Sequence, residues 1–170
     1  MCSSSSTTPV LANLEGMVGT YKRVSCTGME ALLIVQTGFA DERAEIAGSP
    51  DTPCSLSVEV DESRMWTMKY KRSNMEQTIM FKMPPYAKFP VDVIKVINIP
   101  ERSTHQNKME IIRNATGSAM VFSDKKMKKG TIRMERKFSE DWREITQVVS
   151  IRGEEVSCTE VFRRVMEEEV

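Results

Sequence analysis

Residues 156–165 read VSCTEVFRRV. Taken as a strand, the run places Val156, Cys158, Glu160 and Phe162 on one face and Ser157, Thr159, Val161 and Arg163 on the other. The first face is apolar except for a carboxylate at its centre. Moving back along the chain, the pattern recurs twice. In 143–151 a face carries Ile145, Gln147, Val149 and Ile151, and in 130–138 a face carries Ile132, Met134, Arg136 and Phe138. Three successive strands therefore each set one polar residue on an otherwise apolar inner face. With turns near 140–141 and 153–154, Gln147 falls opposite Glu160, and Arg136 falls diagonal to Gln147, about 7–8 Å away between backbones. A lone buried carboxylate costs several kcal/mol, whereas one facing an arginine and trapped water is tolerated. The cluster reads either as the polar lining of a partly hydrated cavity or as a structural network that fixes strand register.

The rest of the chain extends this picture. Short runs rich in Val, Ile, Thr, Met and aromatics occur at 17–26, 54–61, 64–71, 76–83, 89–99, 107–114 and 118–123. With the three above they make ten strands, a rhythm that predicts a meander closed as a barrel or packed as a sandwich. The rhythm breaks at 27–47. There Thr27-Gly28-Met29-Glu30 has the form of a capping box, MEALLIVQ behind it is helix-forming, and FADERAEIA follows after Thr37-Gly38. The predicted order is one strand, a helix-turn-helix, then nine strands.

Composition bounds the function. The 170 residues suit one domain, and 24 basic side chains balance 24 acidic ones, which implies no nucleic-acid partner. The start, MCSSSSTTPV, lacks the basic and apolar regions of a secretory signal and reads as a disordered tail over 1–16; an acidic tail is expected at 166–170. Cysteines at 2, 26, 54 and 158 form no C-x-x-C pair, and His105 is the single histidine. Neither a metal site nor a cofactor is expected, and reduced thiols point to the cytoplasm. No nucleophile–base constellation stands out, so catalysis is not expected.

GTYK (19–22), TGFADERAEIAG (37–48) and CTEVFRRV (158–165) together resemble the intracellular lipid-binding proteins, the fatty-acid-binding and cellular retinoid-binding family. The similarity runs from about Met17 to Val165. It implies an all-β fold, a ten-stranded up-and-down antiparallel barrel over 17–165 closed by a helix-turn-helix lid after the first strand. It also implies a monomeric cytoplasmic carrier, with a fatty acid or related lipid held inside among waters. Members binding fatty acids typically carry Arg-x-Tyr in the last strand, where this chain has Glu160 and Phe162; retinol-type members have Gln-x-Phe. The family's eighth-strand arginine corresponds to Arg136, although an ungapped alignment sets Phe138 there. Family position adds Met29, Leu33, Ala47, Val149 and Met134 to Arg136, Gln147, Glu160 and Phe162 as lining residues, and packing alone would explain each of them equally well.

Losing the Arg-x-Tyr clamp does not forbid binding. At about 0.8 kcal/mol per buried methylene, a sixteen-carbon chain gains on the order of 12 kcal/mol before ordering costs. Micromolar affinity needs about 8 kcal/mol. The polar cluster then selects the head group. Mutual neutralisation of Arg136 and Glu160 would favour a retinol-like or monoacylglycerol ligand, and their separation would leave Arg136 for a carboxylate. A barrel that lost its ligand and serves as a protein-interaction module is the alternative from another class. Turns on the helix side collect Lys71, Arg72, Arg102, Lys108, Lys125, Lys126, Lys128 and Lys129, a basic patch that suits transient contact with anionic membranes. A solvated turn is the plainer reading of the same charges.

Overall fold

The structure is a computed structural model that describes residues 14–37, 47, 49, 51–73, 75–82, 88–99, 107–113, 119–127 and 130–166. Ten strands are present: β1 (Gly19–Thr27), β2 (Cys54–Val60), β3 (Met65–Arg72), β4 (Met75–Lys82), β5 (Lys88–Ile99), β6 (Asn107–Arg113), β7 (Ala119–Met127), β8 (Gly130–Phe138), β9 (Glu144–Ile151) and β10 (Ser157–Arg164). Each is antiparallel to its sequence neighbours, and β1 pairs with both β2 and β10, so the sheet closes into a barrel. Closure leaves no free edge. The alternation read from sequence sets the faces, since the inner residues of β2, β3 and β10 are the buried ones.

The register corrects one estimate. Gln147 lies opposite Glu160 as expected, but Arg136 also pairs directly with Gln147 rather than diagonally. The three polar residues therefore form a row across β8, β9 and β10.

At the seam between β1 and β10 the register shifts between Arg23 and Ser25. Val24 is left 49 % exposed. A bulge reverses the parity of the residues beyond it, which is how Arg23 and Cys26, three positions apart, both come to project into the barrel.

The barrel end opposite the helix is plugged. Leu14, which precedes a short 3-10 turn at Glu15–Met17, and Met17, which ends it, are buried in the main core with Tyr21, Phe138 and Phe162. The Tyr21 hydroxyl donates to the Met17 carbonyl at 3.0 Å, and Arg164 donates to the carbonyls of Gly16 and Trp142 and to the Tyr21 oxygen. Leu14, which lies inside the 1–16 stretch read as a tail, is thus packed in the core, and residues 1–13 lie outside the described residues. Leu14 is a single apolar residue in a polar context, too weak a pattern to register.

At the other end, helix α1 (Met29–Thr37) buries Met29 and Leu32 against Ala47, Ile151 and Cys158. The cap is Gly28, whose carbonyl accepts from the Leu32 amide at 3.1 Å, while Thr27 ends β1. The second lid helix expected after Gly38 lies outside the described residues apart from Ala47. Lys125 and Lys126 sit near the helix-side end of β7; Lys128 and Lys129 lie outside the described residues. Arg72 departs from the surface patch assigned to it, because it continues the inward series Trp66, Met68, Tyr70. No helix among the described residues is long and apolar enough to cross a membrane.

Gly28 combines a φ of +83° with a tight contact: a Cβ there would meet the Ser157 carbonyl oxygen at 2.2 Å. Gly153 has a similar φ of +88° and nothing within 4 Å. Gly153→Ala should therefore cost about 1 kcal/mol of backbone strain, and Gly28→Ala at least about 1 kcal/mol more, read from urea unfolding midpoints. Equal losses would show that the seam yields without strain.

Candidate functional site

Glu160 is 1 % exposed, and its charge is met from β1. Arg23, itself 3 % exposed at the side chain, donates Nη1 to Glu160 Oε2 at 3.0 Å. Its Nη2 donates to the carbonyls of Ala47, Ser49 and Thr52 at 3.0, 3.1 and 3.4 Å. Burial works to lower the Arg23 pKa, but the hydrogen bond and charge of Glu160 outweigh it and hold the guanidinium above its ordinary value.

The other donors to Glu160 come from three strands. The Tyr70 hydroxyl lies 3.0 and 3.2 Å from its two oxygens, Gln147 Nε2 donates to Oε1 at 3.0 Å, and the Cys54 thiol lies 3.6 Å from Oε2. Burial, reinforced by the Glu160 charge, pushes the Tyr70 phenol far above its usual range, so it remains a donor. Burial also pushes the Cys54 thiol up to about 12. Both carboxylate oxygens are thus met by protein donors. Glu160 is an internally satisfied anion.

Arg136 stands at the end of this row under different terms. It is 3 % exposed, donates Nε to Gln147 Oε1 at 2.7 Å, and points Nη1 at the Met68 sulfur 3.7 Å away. Burial lowers its pKa to about 10, which leaves it cationic at neutral pH. Among the described residues it has no carboxylate partner: Gln147 relays between it and Glu160 rather than neutralising it.

The remaining expected residues fall into two groups around this row. Phe162 lies in the main core, its ring edge-on to Tyr70 at 6.2 Å. Phe138 packs against Tyr21 and Trp142 at the plugged end, so Arg136 alone of that pair reaches the polar row. Met134 is half-buried and pairs with Val149. Val149, Met29, Leu33 and Ala47 belong to the smaller cluster beneath α1. Met29 also accepts from Arg72 Nη1 through its sulfur at 3.3 Å, and Arg72 Nη1 donates to the Tyr70 oxygen at 3.2 Å.

Sequence reasoning missed Arg23, Cys54, Tyr70 and Arg72. The last two were accessible: Trp66, Met68, Tyr70 and Arg72 alternate without interruption. Arg23 follows Tyr21 in alternation too, but pairing it with Glu160 requires the β1–β10 closure, which joins opposite ends of the chain.

Arg23→Met should cost about 3–5 kcal/mol, because it strands a buried charge. Adding Glu160→Gln should recover at least about 1 kcal/mol of that loss in chemical denaturation. Strictly additive losses would mean that the two side chains are not coupled in the folded protein.

No family model matches the sequence, and no curated protein matches it. Solved structures do. Fatty-acid-binding protein 1 of Echinococcus granulosus is 15 % identical with a TM-score of 0.60, covering 90 % of this chain and 100 % of its own. The Schistosoma mansoni fatty-acid-binding protein, solved with arachidonic acid, is 13 % identical with a TM-score of 0.61 over 91 % and 99 %. A fatty-acid-binding protein from Drosophila melanogaster brain tissue is 15 % identical with a TM-score of 0.55 over 86 % and 98 %. The chain has the ten-stranded barrel fold of the fatty-acid-binding proteins, at an identity that speaks for the fold and leaves the ligand to be argued from the site.

Proposed function

We propose that the protein is an intracellular carrier that holds a fatty acid inside the barrel, with the ligand carboxylate on Arg136. One observation carries the reading. Arg136 is a buried cation whose described partners are a neutral amide and a thioether, while the nearby carboxylate is already taken by Arg23. A buried charge without a counterion is costly unless something supplies one. A fatty carboxylate does so, and a charge-assisted bond in a dry site contributes about 1.5–3 kcal/mol. Glu160 and Gln147 act in this reading as the frame that aims Arg136.

Other features support binding over a solid fold. The Trp66 indole N–H is buried without an acceptor among the described residues, and such groups in native interiors commonly face water or ligand. Cys26, Cys54 and Cys158 are free thiols, which suits a reducing compartment. The reading is one of binding and carriage, not catalysis, by a monomer.

Arg136→Gln should weaken binding of hexadecanoic acid by about tenfold to a hundredfold in calorimetry while changing hexadecanol binding less than threefold. Unchanged acid affinity would remove Arg136 as the head-group partner and favour a neutral lipid. A protein that carries no lipid in native mass spectrometry and takes up neither probe would instead be an interaction module. Transfer of the ligand to vesicles should also speed up as their anionic lipid content rises, if the lysines at 125, 126, 128 and 129 touch the membrane; rates indifferent to that content would exclude such contact.

A further inference from the structure

Around the described interior, three guanidiniums face one carboxylate: Arg23, Arg72 and Arg136 against Glu160. One arginine–carboxylate pair leaves two cations. Arg136 is the first, and the carrier reading gives it a fatty carboxylate. Arg72 is the second, and that reading does not employ it.

Arg72 ends β3 at the helix side of the barrel and is half-buried. Its described partners are neutral: the Tyr70 oxygen at 3.2 Å, the Met29 sulfur at 3.3 Å, the Met75 sulfur at 3.6 Å, and the face of the Tyr70 ring with its centre 5.9 Å away. Thioether sulfurs are weak acceptors, and a guanidinium has five donors to place. Glu160 and Arg72 share the Tyr70 hydroxyl, which donates to one and accepts from the other. These groups position the side chain under the first residue of α1 without neutralising it.

The two cations approach β3 at different residues. Arg136 meets β3 at Met68, and Arg72 meets it at Tyr70 and at its own backbone. At about 3.3 Å per residue, those points are about 7–13 Å apart along the strand. Two cations that approach the strand at separate residues suit two carboxylates, one on each.

We propose that the ligand is an amphipathic dianion, a dicarboxylate with an apolar skeleton, whose inner carboxylate sits on Arg136 and whose outer carboxylate sits on Arg72 below the helix. The inference rests on the carrier reading and narrows its ligand class. Partial exposure of Arg72 helps, since the outer carboxylate keeps part of its hydration while gaining charge-assisted bonds. A simple fatty acid seated on Arg136 would instead bring apolar chain past an unneutralised cation.

The test compares α,ω-dicarboxylic acids of eight to sixteen carbons with their own monomethyl esters, by displacement of the fluorescent fatty acid cis-parinaric acid. The unmodified protein should bind at least one diacid about tenfold more tightly than its half-ester. Arg72→Gln should cost that diacid at least tenfold more affinity than it costs the half-ester, with circular dichroism confirming the fold. Half-esters that bind as well as diacids throughout the series would overturn the dianion while leaving the carrier intact. Failure of cis-parinaric acid itself to bind would remove the carrier reading, and the dianion with it. Should Arg72→Gln not fold, the comparison on the unmodified protein decides alone.

Discussion

A carboxylate at the centre of an apolar face is tolerable only with a counterion, and Arg23 on Glu160 supplies it. The pair joins β1 to β10, the two strands that close the barrel, and sits beside the register shift that turns Cys26 inward. The same guanidinium holds the carbonyls of Ala47, Ser49 and Thr52, tying the segment before β2 to the seam. Breaking such a pair by removing one partner is far more costly than exchanging both. One interaction therefore reinforces the β1–β10 ladder, ties down the approach to β2 and neutralises the interior carboxylate.

The pair also divides the interior. The main core lies toward the plugged end, the smaller cluster lies beneath α1, and the row from Arg136 through Gln147 to Glu160 links with Arg23 and Tyr70 across the middle. Buried polar networks specify structure when every member is satisfied and are costly when one is not. Here the satisfaction is uneven. Glu160 has several donors, whereas Arg136 and Arg72 keep neutral acceptors alone among the described residues. That asymmetry, more than the number of polar groups, is what the proposed function draws on.

Much of this was legible from residue order, for a simple reason. Period-two alternation reports which residues share a face, and one hairpin's register follows from the turn between its strands. Gln147 opposite Glu160 is such a case. The features that stayed hidden involved either a break in alternation or a contact between distant strands. The β1 bulge hides which later residues of that strand face inward, Cys26 among them, since beyond it they fall on the other parity. The pairing of Arg23 with Glu160 crosses 137 residues of sequence, and no local pattern encodes it. Arg72 was misplaced because a charge at a strand end beside a turn ordinarily faces water, and the alternation that contradicts this had simply to be carried one step further.

The low identity to structures of the same fold follows from the same physics. An up-and-down barrel needs alternation, turns and a plug, and many residue combinations meet those demands. The charges inside are under a different constraint. An arginine as deeply buried as Arg136 lowers stability unless an anion joins it, so an anion that binds there returns stability in proportion to its occupancy, by RT ln(1 + [L]/Kd). Under the proposed function, filling the site and finishing the fold are then one equilibrium. Methionine or leucine at that position would pack without this cost, so under the proposed function the guanidinium is accounted for by a charge that arrives with the ligand.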